Sequence, residues 1–230
     1  MEVGGAARAR GVLPGFVNSA DLGGLSLSGG RTVPAGRVFR ADTPPQLTEA
    51  EMDAARAVGF GLVLDLRSLD ERSSCPHPLA ELPAYRWLPL IDPDAEARED
   101  FSRFRTLGDI YASSLERNAA HLAVIFSALA TAAAGPVLVS CRAGRDRTGM
   151  IAALLLDLAG VDHRTIAAEH ARVPGQQSAD GTDATRTPDG RDIVQMLDHV
   201  RTAYGSTSGY LRRLGLDDDA VASLRRRLGP

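Results

Sequence analysis

Cys141 and Arg147 stand six positions apart, at the two ends of the run Cys141-Arg142-Ala143-Gly144-Arg145-Asp146-Arg147, with Thr148 and Gly149 following. A thiolate is a strong nucleophile, and a guanidinium takes two oxyanion oxygens at once. The spacing alone says little. With 26 arginines in 230 residues and two cysteines, chance supplies such a pair roughly one time in five, so the surroundings must carry the argument. Pro136 opens PVLVS, bounded by Gly135 and too short for a helix, which reads as a strand ending at Ser140. After the loop comes MIAALLLDLAG, an apolar helix stopping at Gly160. Strand, glycine-bearing loop and helix in that order let successive backbone N–H groups curl around an anion at a helix N-terminus. This is not the nucleotide loop G-x-x-x-x-G-K-[ST], which is absent from a chain without a single lysine.

Each residue of the loop then has a chemical use. A free thiol is only about 3% ionised at pH 7, and a helix N-terminus together with arginine lowers its pKa, so Cys141 reads as a nucleophile. Arg147 can fold back across the loop and clamp the phosphoryl oxygens as charge redistributes. Arg142, Ala143, Gly144 and Arg145 form the cradle, and Thr148 can donate to the sulfur or cap the helix. A leaving oxygen needs a proton, worth about a hundred- to ten-thousandfold. Asp146, inside the loop, is the first choice for that acid; Asp92, Asp94 and Asp109 on separate loops are the alternatives. Arg67 follows a strand on the edge where parallel-sheet sites assemble, so it reads either as a substrate contact or as half of an internal ion pair with the nearby acids.

The elements that must position this loop are readable in outline. From Phe16 to Arg40, short apolar alternations broken by glycine pairs predict a small hairpin. Thr48 and Glu51 form a capping box for a helix carrying Met52, Ala55 and Val58 and stopping near Gly59. GLVLDLR, residues 61–67, is a buried parallel strand, and a second strand is expected over 85–91, closed by Asp92-Pro93-Asp94. Residues 109–134 read as one or two helices, with Asn118 able to cap the second. Asp162 caps a helix to about Val173, residues 174–190 read as a mobile loop, and two or three helices finish the chain, the last capped by Asp217. The first ten residues read as a flexible end.

Bulk composition narrows the function classes. At 44% hydrophobic and 24% charged, the chain is an ordinary globule long enough for one sizeable domain over 11–230. A net charge of -3 gives no field for nucleic acid. No apolar run approaches the roughly 18–20 residues of a membrane span, and the N-terminus lacks a secretory core, so a cytoplasmic protein without stable membrane association is expected. Cys75 and Cys141 form no CxxC pair, and His163, His170 and His199 have no ligand spacing; neither a metal nor another cofactor is implied.

Beyond the loop, the segments NSADLGG (18–24), GRVFRADTP (36–44), VLDLRSLDE (63–71) and the C-terminal YGSTSGYLRRLGL all fit one pattern. Over about three quarters of its length the chain resembles the bacterial tyrosine/serine protein phosphatases, whose loop reads HCxAGKDRTG and whose activities extend to phosphoinositides. The resemblance implies a cysteine-phosphatase fold: α/β, with a mainly parallel central sheet flanked by helices. It implies Cys141 as nucleophile, Arg147 as clamp and Asp146 as the in-loop acid. Three positions depart from it. Ser140 stands in place of histidine, Arg145 in place of lysine, and Ala20 in place of arginine. The expected reaction is hydrolysis of a phosphate monoester through a phosphocysteine. Its substrate would be a phosphotyrosine or phosphoserine protein or a phosphoinositide, or else a small phosphorylated metabolite such as a nucleoside phosphate; a catalytically silent phosphate- or phospholipid-binding module is the non-enzyme alternative. Sulfur transfer of the rhodanese type is disfavoured, since Arg147 and Thr148 suit phosphate better.

Overall fold

In the computed structural model, which describes residues 11–27, 30–173 and 190–229, the short apolar runs pair into one sheet. Its strands are β1 (Ala20–Asp21), β2 (Val38–Ala41), β3 (Leu62–Asp65), β4 (Tyr85–Trp87) and β5 (Val137–Ser140), in the spatial order β1-β2-β5-β3-β4. β1 is antiparallel to β2, and every other neighbouring pair is parallel. The register places Ala41, Ser140 and Asp65 side by side at the C-terminal edge of the three central strands. Those strands are buried at every residue because both faces are covered.

Strand periodicity sorts the side chains between two cores. Val38, Leu62, Leu64, Val137 and Val139 enter the larger core, with α4 (Leu107–Arg117), α5 (Ala119–Thr131) and α6 (Asp146–Ala159). Phe39, Ala41, Val63 and Leu138 enter the smaller core, with Leu13, Phe16 and Ala55 of α1 (Glu49–Ala57). The same alternation sends Arg40 toward the larger core, and Asp65 and Ser140 toward the smaller one. This sorting sets up the site.

The expected caps are in place. Thr48 and Glu51 close a capping box on α1, Asp162 caps α7 (His163–Ala171), and Asp217 caps α10 (Asp218–Leu228). Gly160, at φ 91°, ends α6. α8 (Gly190–Tyr204) and α9 (Thr207–Arg213) lie between α7 and α10 along the chain. The expected hairpin appears as the β1–β2 pair with a nested bridge between Ser26 and Thr32.

Several expectations are corrected. The strand expected over 85–91 pairs only through Trp87, because β3 ends at Asp65; Leu88 and Leu90 then reach the Asp65 and Leu66 carbonyls as loop. Asp92 does not close a strand but caps the short helix α3 (Pro93–Ala97). Asn118 sits between α4 and α5, yet its side chain does not cap α5: its amide donates to Ser114 and its oxygen accepts from the Asp92 N–H. Two further elements were not foreseen, α2 (Leu69–Ser74) and a 3-10 turn over Phe101–Arg103. The expected flexible end 1–10 and mobile loop 174–190 lie outside the described residues, except Gly190, which opens α8.

Candidate active site

Residues 141–145 leave the end of β5 and turn into α6, and each of their five carbonyl groups is held. The Thr43 hydroxyl donates to the Cys141 carbonyl at 3.2 Å, and the Thr43 N–H to that of Arg142 at 3.3 Å. Asn18 Nδ2 donates to the Ala143 carbonyl at 3.0 Å. Arg40 Nη2 donates to those of Gly144 and Arg145 at 2.7 and 3.3 Å, and the Gly149 N–H reaches Arg145 at 2.7 Å. In a trans peptide the carbonyl and the following N–H point opposite ways, and the described residues contain no cis bond. Carbonyls tied outward therefore turn the amides of 142–146 inward. That ring of donors is a cradle for an anion.

Arg40 can do this because strand alternation buries it completely, and Glu169 of α7 pairs with its Nη1 at 2.7 Å. Gly144 is required twice over. Its φ is +68°, and a Cβ there would lie 2.5 Å from the Ala41 carbonyl carbon and the Asp42 nitrogen. Gly144→Ala is expected to destabilise the protein by roughly 2–4 kcal/mol, combining left-handed strain and overpacking, and to abolish phosphate release. Urea denaturation read beside an activity assay checks both effects.

Cys141 is 2% exposed at the base of the cradle. Arg147, in the first turn of α6, makes a bidentate pair with Glu71 of α2, at 2.5 and 2.7 Å. Glu71 also accepts the Ser68 N–H at 2.9 Å while the Ser68 hydroxyl accepts its own, a capping box that fixes the carboxylate before it meets the guanidinium. Burial alone would raise the Glu71 pKa, but the hydrogen bonds and charge of Arg147 bring it down to about 2. Stability from this pair is therefore complete above the ordinary glutamate value of 4.5 and is lost as pH falls through about 2. Burial would likewise lower the Arg147 pKa; contact with Glu71 and the nearby Cys141 sulfur raise it instead. Thr148 Oγ1 is buried with no partner among the described residues, which leaves its hydroxyl available to a sulfur or an anion.

The remaining expected residues separate. Arg142 is exposed on the rim, Ala143 is half-buried, and Arg145 is buried with Nε 3.1 and 3.3 Å from the Asp146 carboxylate. Asp146 also accepts from the hydroxyl of Tyr111 on α4. Asp92 is engaged as the cap of α3, and those backbone N–H groups lower its pKa; Asp109 is lowered in the same way by the N–H groups of Arg105 and Thr106. Asp94 is exposed in the first turn of α3. Arg67 is corrected as a substrate contact. It is 2% exposed, its guanidinium is bidentate on Asp65 at 2.9 and 2.8 Å, and its Nη1 donates to the Cys75 carbonyl. Two residues back in an extended chain is the same face of the sheet, so the internal ion pair wins.

Asn18, Arg40, Thr43, Tyr111, Glu169 and His77 were not assigned a role from sequence. Asn18, Arg40 and Thr43 lie inside the quoted motif segments. Glu169 and His170 fall three and four residues after Ile166, positions that helical periodicity reserves for the core, and a charge there signals a buried partner.

A sequence model of the tyrosine phosphatase family matches residues 12–229. The chain belongs to this family. It is 29% identical to a tyrosine-protein phosphatase of Nostoc commune, over 86% of this chain and 76% of that one. It is 27% identical to the triple specificity protein phosphatase PtpB of Mycobacterium tuberculosis, over 93% of this chain and 96% of its relative. The phosphatase has no helix, among its described residues, that is long and apolar enough to cross a membrane. Nor do those residues group three His, Cys, Asp or Glu side chains to hold a metal ion.

Proposed function

We propose that this phosphatase hydrolyses phosphate monoesters in two steps on Cys141. The observation that carries the reading is the cradle itself: five carbonyls tied outward, with Cys141 at the base and an anchored Arg147 beside it. The Cys141 thiolate attacks phosphorus, the ester P–O bond breaks, and the leaving oxygen takes the proton of Asp146. Water then attacks phosphorus, the S–P bond breaks with its electron pair returning to sulfur, and Asp146 accepts the proton of that water. Thr148 donates to the returning thiolate. Asp146 is favoured as the acid because Tyr111 and Arg145 orient its carboxylate inside the loop, whereas Asp92 and Asp109 are committed as helix caps. The relatives' names favour phosphorylated protein as the substrate, and exposed Arg142 offers a cation to a second anionic group such as that of a phosphoinositide.

The test is release of inorganic phosphate from phosphopeptides, phosphoinositides and nucleoside phosphates, with chelator present. Turnover of phosphopeptide supports the reading; turnover of nucleoside phosphate alone assigns a small metabolite instead. For the acid, Asp146→Asn is expected to lower kcat about a hundredfold or more on an alkyl ester while costing far less on a nitrophenyl ester, whose leaving group needs no proton. Equal losses on both esters would return the assignment to Asp92, Asp94 or Asp109.

A further inference from the structure

Ser140 precedes Cys141 directly, and strand alternation turns its side chain away from the cradle into the smaller core. There it meets His77, which reaches it from the loop after α2, 63 residues away in sequence. The hydrogen bonds form one directed chain. The Leu79 N–H donates to His77 Nδ1 at 3.0 Å, which places the ring proton on Nε2. Nε2 lies 3.2 Å from Ser140 Oγ, and the Ser140 hydroxyl donates onward to the Leu64 carbonyl at 3.1 Å. The Ser140 carbonyl is also taken, by the Leu66 N–H at 2.9 Å. His77 is 3% exposed and its ring lies tilted at 48° to that of Tyr85, with centroids 5.4 Å apart and the Asp65–Arg67 pair as its charged neighbours. Burial, opposed only in part by Asp65, lowers its pKa to about 4, so the ring stays neutral near pH 7 and the chain keeps its direction.

We infer that His77 is a positioning residue for the nucleophile: through Ser140 it fixes the last strand residue and thereby the sulfur's place over the inward amides. A histidine delivered from the loop after α2 thus stands behind the position where the resembling loops carry one in sequence. His77 touches neither the anion nor the sulfur; it acts through Ser140. The inference rests on the proposed role of Cys141, since a sulfur that drifts from the ring of amides loses both alignment and the stabilisation of its thiolate.

The test compares wild type with His77→Ala, Ser140→Ala, the double variant and His77→Gln. The readouts are kcat, KM and the pH dependence of Cys141 alkylation by iodoacetamide. His77→Ala is expected to lower kcat roughly tenfold to a hundredfold with KM within about twofold, and to shift the alkylation profile upward by about one pH unit. Ser140→Ala should do the same, and the double variant should cost no more than the worse single one. His77→Gln, which can offer an N–H at the same reach, should recover most of both effects. Wild-type kcat and an unshifted profile in His77→Ala overturn the inference, as does failure of glutamine to restore them. Where His77→Ala does not fold, Ser140→Ala against His77→Gln decides: the first must be impaired and the second near wild type. Absence of turnover in the wild type would instead refute the proposed function, while the alkylation profiles would still report on His77.

Discussion

Cys141→Ser is expected to lower phosphate release by at least about ten-thousandfold while inorganic phosphate still binds. The asymmetry follows from how the cradle is made. Its donors are backbone amides held by Thr43, Asn18 and Arg40, each of which bonds to a main-chain carbonyl of the loop rather than to the Cys141 sulfur. A serine hydroxyl has no ionised form near neutral pH and cannot replace the thiolate, but the ring of N–H groups survives the exchange. Calorimetric phosphate titration of the variant beside a stopped assay measures both halves. Retained turnover would remove Cys141 from the mechanism, and loss of binding with loss of turnover would show that the substitution had disrupted the loop.

Arg147→Lys should be almost as damaging, lowering kcat by about a thousandfold, although the charge is kept. Two donors of the guanidinium are spent on Glu71, at 2.5 and 2.7 Å, and under the proposed mechanism the rest of the rigid planar fork serves the phosphoryl oxygens. An ammonium has no fork. Bound to Glu71 it becomes a point charge at one place, so it cannot hold the carboxylate and grip two oxygens together. Glu71→Gln is the companion measurement: it should impair kcat less than Arg147→Lys, because the guanidinium remains and loses only its anchor.

The strand, loop and helix around Cys141 were legible because each carries its signal locally: a short apolar run behind Gly135, a glycine in the loop, and an apolar helix stopped by Gly160. The Thr48–Glu51 capping box and the Asp162 and Asp217 caps were legible for the same reason. The helix α2 was not, because LDERSS buries no residue and shows no apolar period; it exists through its cap and its link to Arg147. The run over 85–91 suggested a longer strand than exists because Leu90 is buried as core, and burial without a partner strand looks the same in sequence. Arg67 was ambiguous because sequence gives position at the sheet edge but not which of two neighbours a guanidinium prefers. The contacts of Asn18, Arg40 and His77 span 125, 104 and 63 residues, separations at which one sequence carries no pairing signal.

Glu71 and His77 hang from one short stretch of chain, the helix α2 and the loop that follows it. The stretch is anchored to the smaller core chiefly at Leu79 and by the hydrogen bonds already described. Segments so lightly packed open by themselves at a cost well below global unfolding. One such opening would release Arg147 and Ser140 in the same event, so the catalytic centre would come apart as a single cooperative unit. Amide exchange in residues 68–79 would then keep time with the loss of competent enzyme under mild denaturant, long before the sheet itself gives way.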